Sequence, residues 1–156
     1  MPPSLAPDNP PGQATLLRIA PTAPEHKPFY DRKIADNGFL FAIFDETAPP
    51  QAVQGFIAMS HAHWKNVVKF ISVDLPTYLP DSGFIGGDQP GEDDFHLAAW
   101  LARTVSVTGG SPAANGVISL EGELGGKGTV PPKVQNYWRT WSEKESWKTQ
   151  YAQGLH

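Results

Sequence analysis

Three consecutive acidic residues, Glu92, Asp93 and Asp94, are the first candidates for chemistry in this sequence. Adjacent carboxylates can work as acid and base or hold a magnesium ion. Here they follow Pro90-Gly91 and open the run Phe95-His-Leu-Ala-Ala-Trp-Leu-Ala-Arg103. That setting places them on the unpaired N–H groups of a first helical turn. With Gly91 as N-cap, Asp94 is N3, and its carboxylate reaches back to the Gly91 N–H as half of a capping box. Pro90 and Phe95 fall at N′ and N4, the two places a hydrophobic staple needs. Beside a buried helix, Asp94 must be hydrogen-bonded to be tolerated.

His61 and His63 invite a metal reading that their spacing does not support. Two positions along a helix are about 200° apart, whereas a zinc pair on a helix stands three or four residues apart. They read as boundary residues flanking an apolar stripe, and His26, His96 and His156 add no useful spacing, so no metal site is expected. The glycine-rich stretches Gly83-Phe-Ile-Gly-Gly-Asp88, Gly109-Gly-Ser111 and Gly122-Glu-Leu-Gly-Gly-Lys-Gly128 lack the strand, loop and Gly-Lys-Ser/Thr context of a phosphate cradle. They read as helix stops. No Gly-x-Ser-x-Gly elbow is present, and no residue is expected to be catalytic. The five tryptophans, Trp64, Trp100, Trp138, Trp141 and Trp147, read as core residues or as the aromatic lining of a pocket.

These residues need elements to hold them, and the apolar spacing supplies helices. The run 91–108 is apolar nearly all round, which predicts a buried central helix with no solvent face, stopped by Gly109 and Gly110. A first helix is expected from Pro28 or Phe29 to about Glu46, with a kink at Gly38. A second follows Pro49 and Pro50, because Val53, Phe56, Ile57, Ser60, Trp64, Val67, Val68, Ile71 and Leu75 keep helical spacing. Pro76 and Pro80 are expected to close it. Phe84 and Ile85 make an apolar clip in the loop that follows. Residues 112–125 predict a weaker helix through Val117, Leu120 and Leu124. The last helix starts near Pro131 and Pro132 and presents Val134, Tyr137, Trp138 and Trp141, before a short element carrying Trp147 and Tyr151. The expected fold is all-α, a bundle of about five to six helices around residues 91–108.

The totals set outer limits. The chain has 156 residues, a net charge of −4 and no cysteine. A basic face for nucleic acid or an anionic membrane is not expected at that charge. Without cysteine there is no disulfide, thiolate metal site or cysteine nucleophile. No apolar run approaches a membrane span, and the reading is of a soluble cytoplasmic protein. Eight of the 16 prolines lie within residues 1–28, which reads as a largely disordered lead or linker before a helical domain at 29–156.

Together the segments Phe84-Ile-Gly-Gly-Asp-Gln-Pro90, Gly91-Glu-Asp-Asp-Phe-His96 and Pro131-Pro-Lys-Val134 through Ser146-Trp-Lys-Thr-Gln-Tyr151 resemble the C-terminal all-helical domain of the glutathione transferase superfamily, in a fungal glutathione transferase-like branch. The resemblance spans roughly Phe29 to His156 and implies a buried central helix whose N3 capping aspartate is Asp94. The family's usual Ser or Thr N-cap is Gly91 here, so only the Asp94 half of the box and the Pro90–Phe95 staple can operate. It further implies that glutathione binds a separate N-terminal thioredoxin-like domain, expected to be missing from this chain. No cofactor is therefore expected unless that domain is supplied, and the chain alone is not expected to conjugate glutathione. Carried over by position, Asn37, Phe41, Trp100 and Arg103 would line the electrophile pocket. The alternatives are a non-catalytic interaction or dimerisation module, or a carrier of small hydrophobic ligands. Phe39, Phe41, Ile43 and Phe44 exceed one core-facing stripe and suit a pocket or a homodimer face.

Overall fold

The computed structural model describes residues 27–37 and 49–155, and the division into compact units falls between 1–65 and 66–156. The described residues are mostly helical, and no strand forms among them. Phe84 and Gly87 alone exchange a pair of backbone hydrogen bonds of 3.0 Å, as an isolated bridge. The all-α expectation holds. No helix among the described residues is long and apolar enough to cross a membrane. The expected lead at 1–28 lies outside the described residues except for its last two. So do Gly38, Phe39, Phe41, Ile43, Phe44 and the rest of the first expected helix beyond Asn37.

In the first unit, helix α1 (Lys27–Asn37) starts where the proline punctuation placed it and carries an exposed Lys27–Asp31 ion pair of 2.8 Å at i,i+4 spacing. Helix α2 (Pro50–Lys69) begins with proline, whose missing N–H costs nothing at that position. Its stripe from Val53 to Val68 is half-buried on the helical period, although no residue of α2 is fully buried.

The chain then departs from the uniform helix that the spacing predicted. Phe70–Asp74 forms a π-helical turn, with the Leu75 N–H donating to the Phe70 carbonyl, and Leu75–Tyr78 adds one α-turn, α3. Pro76 does not close the helix as expected but sits in the first turn of α3. Proline has no N–H to return to the preceding turn, so the wider register just before it accommodates that missing donor. Ile71, Leu75 and Leu79 remain buried through the change.

The central helix α4 runs from Glu92 to Val107, 16 residues, with Gly91 as N-cap. Its buried face is Asp94, Ala98, Leu101, Ala102, Thr104 and Val105. The expectation that it has no solvent face is corrected: Phe95, His96, Ala99 and Arg103 are exposed. Alanine satisfies either environment, so an alanine-rich sequence overstates how much of the circumference is covered. Beyond Val107 the chain ends the helix in a Schellman arrangement. Gly110 N–H donates to Val105 at 2.9 Å and Gly109 N–H to Ser106 at 3.0 Å, with Gly109 at φ +82°.

The weaker helix expected over 112–125 is instead a 3₁₀ segment, Gly116–Leu120, followed by one α-turn, α5 (Glu121–Leu124). Gly116 allows this path because a Cβ there would overlap the Ser111 carbonyl. Helix α6 (Pro132–Ser142) buries Val134, Tyr137, Trp138 and Trp141, the four residues its spacing selects, and α7 (Glu145–Gln150) buries Trp147. Indole donors fix the connection after α4: Trp138 Nε1–H reaches Ala113 O at 2.7 Å and Trp147 Nε1–H reaches Pro112 O at 3.0 Å.

Two glycines of ordinary φ separate steric need from conformational freedom. Gly116→Ala is expected to cost about 1–3 kcal/mol through backbone displacement. Gly122, inside α5, has nothing within 4 Å of the place a Cβ would take, and is expected to gain about 0.5–1 kcal/mol as alanine. Urea unfolding of both variants checks the contrast, and equal midpoints would show the Ser111 contact to be slack.

Candidate functional site

Of the three adjacent carboxylates at 92–94, one is withdrawn from solvent and two are exposed. Asp94 is completely buried. Its Oδ2 accepts the Gly91 N–H at 2.9 Å and the Gly86 N–H at 2.8 Å, while Oδ1 accepts the Ile85 N–H at 2.8 Å and the Tyr137 hydroxyl at 2.9 Å. Burial pushes this carboxyl up, yet the bonds from Gly91, Gly86, Ile85 and Tyr137 together outweigh it and hold it below its ordinary value of 3.8. Gly86 can approach only as glycine, because a Cβ would stand 2.6 Å from the Gly91 nitrogen. The carboxylate has no face left for a substrate or a metal. Glu92 and Asp93 are exposed, and Glu92 lies 3.9 Å from His96 Nε2.

Asp94 also governs its partner. Burial raises the Tyr137 phenol, and the Asp94 hydrogen bond and charge raise it further, opposed by the Trp141 indole. The Trp141 Nε1–H meets no acceptor with hydrogen-bond geometry. Its influence on Tyr137 is therefore that of a nearby dipole, not of a formed bond. Trp141 packs edge-on against Phe84 at 5.0 Å and Phe95 at 5.4 Å between ring centroids. Phe95, expected as half of a staple with Pro90, thus has Trp141 as its ring contact and remains 55% exposed.

Trp100 borders a shallow depression that is largely open to solvent. This open cleft is lined by Asn66, Val67, Phe70, His96, Leu97 and Trp100, all within residues 66–156. The C-terminal end of α2 and the π-turn supply the first three; the exposed flank of α4 supplies the others. Phe70 and Trp100 meet edge to face at 5.2 Å. Aromatic and aliphatic surface forms the wall, with the Asn66 amide and the His96 imidazole as the polar groups. The depression is open to solvent, and the His96 side chain is 81% exposed. Of the other pocket candidates, Arg103 is exposed and is not among the residues lining this cleft. Phe41 and the Asn37 side chain lie outside the described residues.

His61 is half-buried and His63 exposed, as boundary residues would be. No cluster of three or more metal-ligating side chains occurs among the described residues. Local spacing does not mark Asn66, His96 or Leu97 as neighbours of Trp100. Phe70 carried a usable signal, an aromatic at helical spacing after Val67 and shortly before Pro76. Comparison with family models, curated proteins and solved structures found no match.

The Asp94 geometry fixes the sign of a pH effect. A carboxyl depressed in the folded state stabilises the fold above its unfolded value, and that contribution is lost as pH falls through the folded value, below 3.8. Asp94→Asn is expected to flatten this acid limb of stability. Asp94→Ala is expected to cost about 3 kcal/mol or more, because it leaves several buried N–H donors unpaired. Denaturant midpoints across the acid range check both outcomes; an unchanged acid limb in the asparagine variant would remove Asp94 as its source.

Proposed function

We propose that this chain is the helical, ligand-holding domain of a glutathione transferase-like protein and does not conjugate glutathione by itself. The observation that carries the proposal is the capped start of α4. A buried N3 aspartate holds both the N-cap and the preceding loop, and Trp100 lines a cleft two turns further along the same helix. Conjugation needs a donor beside a glutathione sulfur to favour the thiolate. In this reading that donor and the glutathione site belong to a thioredoxin-like domain. The cleft of this chain supplies contact for the hydrophobic partner, and its Phe70, Leu97 and Val67 surface is suited to that task.

Two measurements test the reading together. Titration with an apolar dye is expected to quench tryptophan fluorescence saturably, and Trp100→Leu is expected to weaken dye binding about tenfold through loss of aromatic contact. The purified chain is expected to conjugate a chromogenic electrophile to glutathione no faster than buffer does. A rate that vanished on substituting a residue of this chain would overturn the non-catalytic assignment, and dye binding indifferent to Trp100 would overturn the cleft.

A further inference from the structure

We propose that the buried tryptophans pass a one-electron oxidation outward, from Trp138 or Trp141 through Trp147 to Tyr151, where it comes to rest as a tyrosyl radical. This goes beyond the ligand-holding reading and does not depend on it. Trp147 stands 5.0 Å from Trp138, 6.0 Å from Trp141 and 4.5 Å from Tyr151 between ring centroids. Those are the separations of packed aromatic rings, across which an electron tunnels readily. Trp141 is flanked by Phe84 and Phe95, at 5.0 and 5.4 Å. A phenyl ring is far harder to oxidise than an indole, so these flanks give no way out. The chain has no cysteine to intercept the oxidation.

The protons set the direction. An oxidised indole is trapped where it stands only if its N–H proton can leave. Trp138 and Trp147 donate theirs to the carbonyls of Ala113 and Pro112, which are acceptors but not bases, and the Trp141 N–H meets no acceptor. Two phenols adjoin the tryptophans. The Tyr137 ring lies 6.5 Å from Trp141, but its hydroxyl donates to Asp94 at 2.9 Å. A proton passed there discharges the carboxylate that three backbone N–H groups depend on, and both residues are buried. Tyr151 is half-buried and keeps contact with water. It returns one electron to Trp147 and loses its phenolic proton to water, which leaves a neutral indole and a neutral tyrosyl radical. The electron lost at the start goes to a one-electron oxidant of the oxygen-radical class, or is ejected by ultraviolet light.

Laser flash photolysis of the full chain tests this path. Trp64→Phe with Trp100→Phe leaves Trp138, Trp141 and Trp147 as the only tryptophans. Light at the red edge of indole absorption ejects an electron, and dissolved oxygen takes it up as superoxide. The tryptophanyl absorption is expected to decay as the tyrosyl absorption grows, at a rate independent of protein concentration. Tyr151→Phe is expected to remove most of the tyrosyl signal and to prolong the tryptophanyl one. Trp147→Phe is expected to do the same, with circular dichroism checking the helical fold. If that buried substitution fails to fold, Tyr151→Phe at its half-buried position decides alone. A tyrosyl signal that survives Tyr151→Phe, a rate proportional to protein concentration, or no tyrosyl signal at all overturns the inference. Each of those outcomes leaves the ligand-holding reading standing.

Discussion

The fold of residues 66–156 depends on one buried negative charge being fully solvated by protein. Asp94 could not be carried into the interior bare; isolated carboxylates there are costly by many kcal/mol. Its four short hydrogen bonds come from three places in the chain: the loop at Ile85 and Gly86, the N-cap at Gly91, and α6 through Tyr137. Satisfying the charge therefore fixes the loop, starts the helix and ties α6 to it. The acidic side chain also meets the positive end of the α4 dipole, so the same placement answers several unpaired N–H groups together.

Around this polar centre the packing is aromatic and edge-on in all but the tilted Trp141–Trp147 pair. Phe84, Tyr137, Trp141, Trp147, Trp138 and Tyr151 form a chain of ring contacts between 4.5 and 6.5 Å. Each such contact contributes about 0.5–1.5 kcal/mol beyond its buried area. Trp138 and Trp147 also spend their indole donors on neighbouring carbonyls of the 112–113 connection. The loop between α4 and the 3₁₀ segment is thus held by the same residues that fill the core.

Helix type and the capping site were legible in the sequence because both are written locally. The spacing Val134, Tyr137, Trp138, Trp141 selected the buried face of α6 without exception, and Asp94 was singled out by its distance from Gly91 alone. What escaped notice depends on contacts or on backbone register. Nothing in a 3.6-residue period marks the five-residue π-turn at Phe70–Asp74, so the proline after it read as a stop. Alanines at 98, 99 and 102 look alike in sequence, yet Ala99 faces water and the other two face the core. Tyr137 as the fourth donor to Asp94 lies 43 residues away, beyond any local pattern. The neighbours of Trp100 at Asn66, Val67 and Phe70 come from a segment about thirty residues away, brought there by packing and not by local sequence.

The two ends of α4 are secured by different chemistry, and that gives the helix a direction of weakness. At its front the fastening is ionic and can be undone by a proton on Asp94. At its rear the fastenings are glycine-permitted backbone bonds and two indole N–H groups, none of which gains or loses a proton in ordinary solution. Acidification therefore frays this rod from the loop side inward, while the rear junction keeps its grip on the core.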